Sequence, residues 1–279
     1  MRRQPVLTNK KSIWLSGPYL VWIAGFIVLP LLVILYYGFT TTEGTITLDN
    51  IIGAITDTTN LKATLITVLL AGGATLLCLL LAYPLAMFLS KLNMKSKTSL
   101  IFLFILPMWM NFMLQMVAIN VILEDNGIIN GILTSIGLEK MHIANTYTAV
   151  LIGMTYDYFP FMLLPIYNTV SKIDGDLVNA SYDLGAGRVK TFFKVIFPLS
   201  LPGVVSGITM VFIPAISDFA ISEMLGGGMT LLIGNVVEMS FTKGLYHSGS
   251  GLALILMAFV LLSSVLSGNK GDEGGALIP

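Results

Sequence analysis

The chain has 279 residues, of which 55% are hydrophobic and only 11% are charged, whereas soluble domains carry about 25% charged residues. This composition excludes a soluble globular protein and indicates an all-α integral membrane protein, because several apolar runs exceed the roughly 18 residues that cross a bilayer as a helix. The formal net charge of zero gives no indication of a nucleic-acid partner, and the single cysteine, Cys78, excludes an internal disulfide or a cysteine-based metal site.

Hydropathy predicts about six membrane-spanning helices, near residues 13–39, 61–90, 99–123, 146–170, 199–217 and 249–267. Six spans place both chain ends on the same side of the membrane. Of the 15 lysines and arginines, only Lys62, Lys140 and Lys243 fall on the other side. The positive-inside rule therefore predicts that both termini are cytoplasmic.

These spans predict a simple domain organisation. A cytoplasmic N-terminal segment, residues 1–12, precedes a transmembrane domain over residues 13–267. The tail, residues 268–279, is glycine-rich and polar, and this composition predicts disorder.

Two glycine patterns predict local structure within this domain. In span five, Gly203 and Gly207 predict a close approach by another helix. Between spans three and four, asparagine and glycine punctuate residues 124–145, which predicts a short surface or re-entrant helix.

A patterned segment, residues 172–202, separates spans four and five, and it is too long for a simple turn. Asp176 is the predicted N-cap of a short helix. The small and apolar face of this helix recurs at helical spacing, at Leu177, Ala180, Ser181 and Leu184. Gly185 and Gly187 predict a sharp turn, and a second, basic helical stretch is predicted to end at Pro198. Such a helix either lies on lipid headgroups or enters a groove of another protein, and its nearly uncharged face favours the groove.

The segment resembles the EAA loop of ABC-importer permeases, whose pattern is Glu-Ala-Ala, a glycine and Ile-x-Leu-Pro at spacings that this chain reproduces. The corresponding residues here are Asn179-Ala180-Ser181, Gly185 and Val195-Ile196-Phe197-Pro198. Ala180, Gly185 and Pro198 match the pattern, whereas Asn179 replaces the family's glutamate. This departure removes the carboxylate that would form a salt bridge with the ATPase subunit.

Over almost the whole chain, the sequence is similar to the B-type permeases of spermidine/putrescine importers. The residues that carry this similarity are Trp14–Phe39, Tyr83–Ala86, Ser217–Phe219, Leu225–Gly227 and Ile233–Asn235. The resemblance implies polyamines as the substrate class. Importers of thiamine, iron or phosphonate remain open alternatives.

The resemblance also implies the fold, the location and the partners: a type I ABC-importer permease fold in a bacterial inner membrane. It implies a role in coupling to a cytoplasmic ATPase for Asn179, Ala180, Ser181, Gly185, Ala186, Gly187 and Pro198. The chain contains no G-x-x-x-x-G-K-[ST] motif, so we expect no enzymatic activity, and ATP with Mg²⁺ is expected on a separate ATPase dimer. No cofactor or metal is expected on this chain. The other implied partners are a paralogous second permease, an extracytoplasmic polyamine-binding protein and membrane lipid.

The chemistry of a polyamine predicts which side chains line the pathway. A flexible polycation needs carboxylates along a cavity and aromatic faces for cation–π contacts. Asp157 lies inside span four between Tyr156 and Tyr158. An acid at this depth costs about 2.5–3.5 kcal/mol on insertion scales, so it faces either a wet cavity or a hydrogen-bonding neighbour helix.

Further pathway candidates lie in spans three and five. Asp218 and Glu223 follow span five, where they either meet an incoming cation or form a solvated helix end. Trp109, Asn111 and Gln115 in span three either line the same path or pack and hydrogen-bond between helices.

Two other classes of protein compete with an importer permease. An ion-coupled secondary transporter would need buried acids and often inverted repeats, and no convincing repeat is visible. A membrane-embedded enzyme would need a motif such as H-E-x-x-H or G-x-S-x-G, and the sequence contains neither.

Overall fold

The structure is a computed structural model that describes residues 10–92, 94–228 and 230–271. The first helix begins at Lys10, and residues 1–9 of the predicted N-terminal segment lie outside the described residues. The last helix extends to Gly271, and the remainder of the predicted tail, from residue 272, also lies outside them.

The described chain is built from helices. The first half contains α1 (Lys10–Ile23), a π-helical stretch (Ala24–Val28), α2 (Leu29–Gly38), α3 (Asp49–Thr56), α4 (Thr58–Ser90), α5 (Met94–Ile105), a 3-10 turn (Leu106–Trp109), α6 (Phe112–Leu123) and α7 (Ile128–Ser135). The second half contains α8 (Tyr147–Val170), α9 (Gly175–Asp183), α10 (Arg188–Thr191), a π-helical stretch (Phe192–Ile196), α11 (Phe197–Ser217), α12 (Ala220–Leu225), α13 (Ile233–Thr242) and α14 (Tyr246–Gly271).

Six helical segments are long and apolar enough to cross a membrane: Gly17–Gly38, Thr58–Ser90, Phe112–Ser135, Tyr147–Val170, Arg188–Ser217 and Tyr246–Val265. A helix satisfies every backbone hydrogen bond within itself, which is the condition for crossing a hydrocarbon layer. The predicted all-α membrane fold with about six spans is confirmed.

The core of the bundle is formed by α8, which packs between α4 and α11. On α4, small residues at helical spacing are fully buried, namely Ala71, Ala74, Cys78, Ala82 and Ala86. On α11, a Cβ atom at Gly203 would lie 2.6 Å from the carbonyl oxygen of Pro165 on α8, and one at Gly207 would lie 2.7 Å from Met162 Sδ. The predicted close helix contact at both glycines is therefore present, because small residues let helix backbones approach in a membrane.

The third predicted span, 99–123, is not one continuous helix. A 3-10 turn containing Pro107 separates α5 from α6. Proline lacks a backbone N–H and its ring clashes with the preceding turn, so the helix breaks here. Asn111 then caps the first turn of α6, and Gln115 Nε2 donates a hydrogen bond to the carbonyl oxygen of Pro107.

The fifth span begins earlier than its hydropathy indicates. The prediction that a basic helical stretch ends at Pro198 is wrong, because α10, the π-helical stretch and α11 form one continuous helical segment. Pro198 lies in the first turn of α11, where a missing N–H is tolerated, and the π-helical stretch before it rearranges the local hydrogen bonds. The helical segment that contains the fifth span therefore starts at Arg188.

The first helical segment, α1 to α2, contacts the rest of the bundle at one end. Its most apolar stretch is unburied within the described chain. At its C-terminal end, Gly38 packs against Leu254 of α14. Asn50 Nδ2 and His247 Nδ1 donate hydrogen bonds to the carbonyl oxygen of Thr40, at 2.9 and 2.6 Å. The same two nitrogens also donate to the carbonyl oxygen of Tyr37 in the last turn of α2, at 3.3 and 3.1 Å, where a helix end leaves carbonyls without partners.

Short helices cover the two ends of the bundle. One end, which we call the α9 end, carries the segment between α8 and α11. The opposite end, the α13 end, carries α3, α7 and α13. The short helix predicted within residues 124–145 is present as α7, and the buried Asn130 fastens it through hydrogen bonds to the backbone of Glu124 and Met141.

Candidate functional site

Two carboxylates lie in the same region of the bundle, one on α8 and the other just after α11. Asp157 lies on α8 and Asp218 follows α11 directly. The hydroxyl of Tyr158 donates a hydrogen bond to Asp218 Oδ2 at 2.7 Å, and the charges of Asp157 and Asp218 are close enough to interact. The structure thus brings together three of the predicted pathway residues, which we call the acid cluster: Asp157, Tyr158 and Asp218.

Asp218 has a second role within this cluster, since it begins the next helix. Its Oδ1 atom accepts a hydrogen bond from the backbone N–H of Ile221 at 2.9 Å, which satisfies a free N–H in the first turn of α12. Ile221 and Leu225 are fully buried, and Gly153 on α8 provides the space into which they pack. The carboxylate of Asp218 therefore joins α12 to α8 and is not a solvated helix end.

The acid cluster contains two carboxyl groups and no basic side chain. Within the described part of the chain, neither Asp157 nor Asp218 forms an ion pair with a lysine, arginine or histidine. A charge at membrane depth is expensive unless it is paired or faces water. Two acids that are half-buried, adjacent and uncompensated therefore form a site suited to a cation.

Two of the predicted pathway residues lie apart from the acid cluster. Tyr156 lines an apolar cleft of about 700 Å³ between α4, α5 and α8, with Leu81, Phe104 and Phe159 among its other walls. Trp109 is 81% exposed on the 3-10 turn, and its ring contacts Phe102 edge-on. Neither side chain adds a cation–π face to the acid pair within this chain.

The remaining polar candidates, Glu223, Asn111 and Gln115, form no described hydrogen bond with the acid cluster. Glu223 is exposed on α12, next to the cluster in sequence but without a described hydrogen bond to it. Asn111 and Gln115 stabilise the break between α5 and α6 with hydrogen bonds to their own segment. The amides therefore maintain the shape of the third span and do not bond between helices.

The segment at the α9 end forms the predicted short helix and turn. The N-cap of α9 is Asp174, whose Oδ1 accepts the backbone N–H of Asp176 at 3.0 Å, so the prediction of Asp176 as the cap is wrong. After α9, Gly185 has φ of +78°, a backbone conformation that glycine adopts without steric cost. The N–H of Ala186 bonds back to the carbonyl of Ser181 at 3.0 Å, which closes the helix end.

The predicted small and apolar face of α9 lines a groove. This groove has a volume of about 600 Å³ and lies between α9 and the start of the fifth span. Its lining residues are Leu177, Ala180, Ser181, Leu184, Ala186, Lys190, Lys194, Val195, Pro198 and Leu199. A hydrogen bond of 2.9 Å between the hydroxyls of Ser181 and Thr191 joins its two walls. Leu184 is 88% exposed at its rim, which leaves an apolar side chain available to another protein.

The other residues of the coupling pattern occupy different positions. Asn179 is exposed and faces a smaller cavity of about 280 Å³, which Ser90 and Lys91 at the end of α4 also line. Gly187 is the N-cap of α10, and a Cβ atom at this glycine would meet no atom within 4 Å. Of the predicted coupling residues, Ala180, Ser181, Ala186 and Pro198 share the groove, and Gly185 forms its turn.

One residue next to the acid cluster was given no role by the sequence. Asn235, in the first turn of α13, hydrogen-bonds to three different residues between Phe219 and Leu232. The position of Asn235 three residues after Leu232 could have predicted its bond to the Leu232 N–H at the start of α13. Its bonds to Phe219 and Ser222 could not be predicted, because α12 is too short to recognise from sequence.

Comparisons with known proteins give a consistent result. The model of the family of binding-protein-dependent transport system inner membrane components matches residues 79–269. The spermidine/putrescine transport system permease protein PotB of Haemophilus influenzae is 36% identical over 230 residues, which are 79% of each chain. The PotB protein of Escherichia coli K12 is 36% identical over 228 residues, covering 79% of this chain and 82% of that protein.

A solved structure shares the fold. It is a bacterial ABC transporter involved in the import of the acidic polysaccharide alginate, with a TM-score of 0.70 at 16% identity. The match covers 93% of this chain and 96% of that chain. At this identity the likeness concerns the architecture alone.

Proposed function

Because the chain belongs to the family of binding-protein-dependent transport system inner membrane components, we propose that it is one permease subunit of an ATP-driven importer for polyamines. The observation that carries the substrate is the 36% identity to spermidine/putrescine permeases over 79% of this chain. The chain is a multi-pass inner-membrane transport subunit.

The acid cluster supports a cationic substrate. Among the residues that the structure describes, none forms an ion pair with Asp157 or Asp218, so an alkyl-ammonium group is the charge that would compensate them. Tyr158 holds the second carboxylate through its hydroxyl. A pathway for an anionic or neutral solute would gain nothing from an uncompensated acid pair at this depth.

The groove at the α9 end is the proposed docking site for the ATPase. It combines exposed apolar side chains with Lys190 and Lys194, a composition that suits the surface of another protein. ATP and Mg²⁺ are bound by the partner ATPase, which transmits closure to α9. Asn179 offers no carboxylate, so docking relies on the shape of the groove and its turn at Gly185.

The remaining partners follow from this assignment. The α9 end faces the cytoplasm, and both termini lie on that side. The α13 end faces outward and meets an extracytoplasmic binding protein loaded with the solute. A paralogous permease supplies the other half of the pathway, and its side chains complete the aromatic surroundings that this chain leaves open around the acid pair.

The test is ATP hydrolysis by the complex reconstituted in lipid nanodiscs with its partner permease and ATPase. Binding protein is added loaded with spermidine, loaded with thiamine, or empty. We expect stimulation by the spermidine-loaded protein alone. Stimulation by the thiamine-loaded protein alone would refute the proposed substrate class, and a chain that assembles with no ATPase would refute the importer.

A further inference from the structure

The turn that carries Asp218 is held from the side by one amide. Asn235 Nδ2 donates a hydrogen bond to the carbonyl oxygen of Phe219 at 3.0 Å. Asn235 Oδ1 accepts hydrogen bonds from the hydroxyl of Ser222 at 2.6 Å and from the N–H of Leu232 at 3.1 Å. Every hydrogen-bonding atom of the amide except one N–H is thereby used within the segment from Phe219 to Leu232.

The same helix start is pressed against Asp218 itself and fixed to α4. A Cβ atom at Gly234 would lie 2.8 Å from the carbonyl oxygen of Asp218, so the backbone of α13 touches the backbone of this turn. The N–H of the neighbouring Ile233 donates to Thr67 Oγ1 on α4 at 2.9 Å, in a buried environment. Asn235 therefore connects the Asp218 turn to the start of α13, which is itself hydrogen-bonded to α4.

We propose that Asn235 is a positioning residue that fixes the Asp218 carboxylate beside Asp157, an inference that rests on the proposed role of this acid pair in solute passage. Asp218 is bonded through its side chain to Tyr158 and to the N-terminus of α12. Without the amide, the Phe219 carbonyl oxygen and the Ser222 hydroxyl lose their shared partner, and the turn that places the Asp218 carboxylate loosens. Asn235 itself contacts no solute.

The first measurement does not depend on the solute. Hydrogen exchange of the peptide covering residues 219–225 is compared in the assembled complex for wild type, Asn235→Ala and the milder Ser222→Ala. We expect about tenfold faster exchange in Asn235→Ala and a smaller increase in Ser222→Ala, because each loses side-chain bonds that hold α12. Asn50→Ala removes an equivalent amide far from the cluster and leaves this peptide unchanged. Unchanged exchange in both Asn235→Ala and Ser222→Ala would overturn the proposal.

The second measurement separates positioning from general structural damage. Solute-stimulated ATP hydrolysis is measured in a double-mutant cycle of Asn235→Ala and Asp218→Asn. If Asn235 acts through Asp218, its substitution lowers stimulation about tenfold in wild type and has no further effect once Asp218 is neutral. Additive losses would show a merely structural role and refute the inference. If a solute other than a polyamine stimulates the wild type, the proposed substrate falls, but the cycle run with that solute still tests Asn235.

Discussion

Replacement of Gly203 by alanine is expected to separate the two helices that carry the acid cluster. The added Cβ atom would lie 2.6 Å from the carbonyl oxygen of Pro165, which belongs to the backbone of α8. A side chain could rotate away, but a backbone carbonyl in the middle of a packed helix cannot. The clash is relieved when α11 moves away from α8.

The magnitude follows from two opposing contributions. Overpacking of this kind costs about 1–3 kcal/mol in protein interiors. Alanine regains up to about 1 kcal/mol over glycine through its helix propensity. Gly72→Ala on α4 is the matched control, because its Cβ atom meets nothing within 4 Å and it retains the propensity gain alone. Gly207→Ala falls between them, since its Cβ atom would lie 2.7 Å from Sδ of the flexible Met162 side chain but 3.2 Å from the Met162 carbonyl oxygen.

Thermal melting of the purified complex in detergent tests this order. We expect the midpoint to fall for Gly203→Ala, to fall less for Gly207→Ala, and to stay equal or rise for Gly72→Ala. Equal midpoints for Gly203→Ala and Gly72→Ala would refute the close backbone contact between α8 and α11.

Three further outcomes are expected. Asp157→Asn should leave assembly intact and lower solute-stimulated ATP hydrolysis about tenfold or more, because one carboxylate facing the cation is lost. The control Asp49→Asn, at an exposed carboxylate, should leave this stimulation unchanged. Normal stimulation in Asp157→Asn would make Asp157 a structural residue. Gly185→Ala should weaken co-purification of the ATPase, because a φ of +78° costs an L-residue about 1–2 kcal/mol. The control Gly187→Ala, at a φ of −74°, should retain the ATPase. Equal retention of the ATPase by both variants would contradict the role of the turn. Backbone hydrogen bonds from Thr59 and Asn60 hold the pKa of the Asp57 carboxyl below its usual value, so its cap is present at neutral pH and is lost as pH falls through that lowered pKa. The melting difference between wild type and Asp57→Ala should therefore be largest near neutral pH and vanish in strong acid, and a constant difference would contradict the charged cap.

The sequence predicts the spans well where hydropathy alone decides the structure. It fails at Pro107 and Pro198, two prolines in apolar runs with opposite outcomes. Pro107 breaks a helix because Asn111 and Gln115 can take over the freed backbone groups. Pro198 is accommodated because a π-helical stretch precedes it. Both outcomes depend on hydrogen bonds several residues away, which no local propensity contains.

The candidate site was predictable in its charges but not in its geometry. An acid inside an apolar run identifies Asp157, yet the sequence could not show that Tyr158, and not Tyr156, faces Asp218. Adjacent helix residues point about 100° apart, so only the position of α12 decides which ring belongs to the cluster. A helix as short as α12 forms through tertiary contacts, and Asn235 provides several of them.

The attachment of the first helical segment at one end limits when its contacts can form during synthesis. His247 and Leu254, which contact this end, belong to α14, which is synthesised after the other described helices. During translation, the segment can therefore bond to Asn50 of α3 early, but its contacts with α14 form only after α14 has been made. A nascent polypeptide that stops before His247 retains the hydrogen bonds from Asn50 and lacks the contacts with His247 and Leu254.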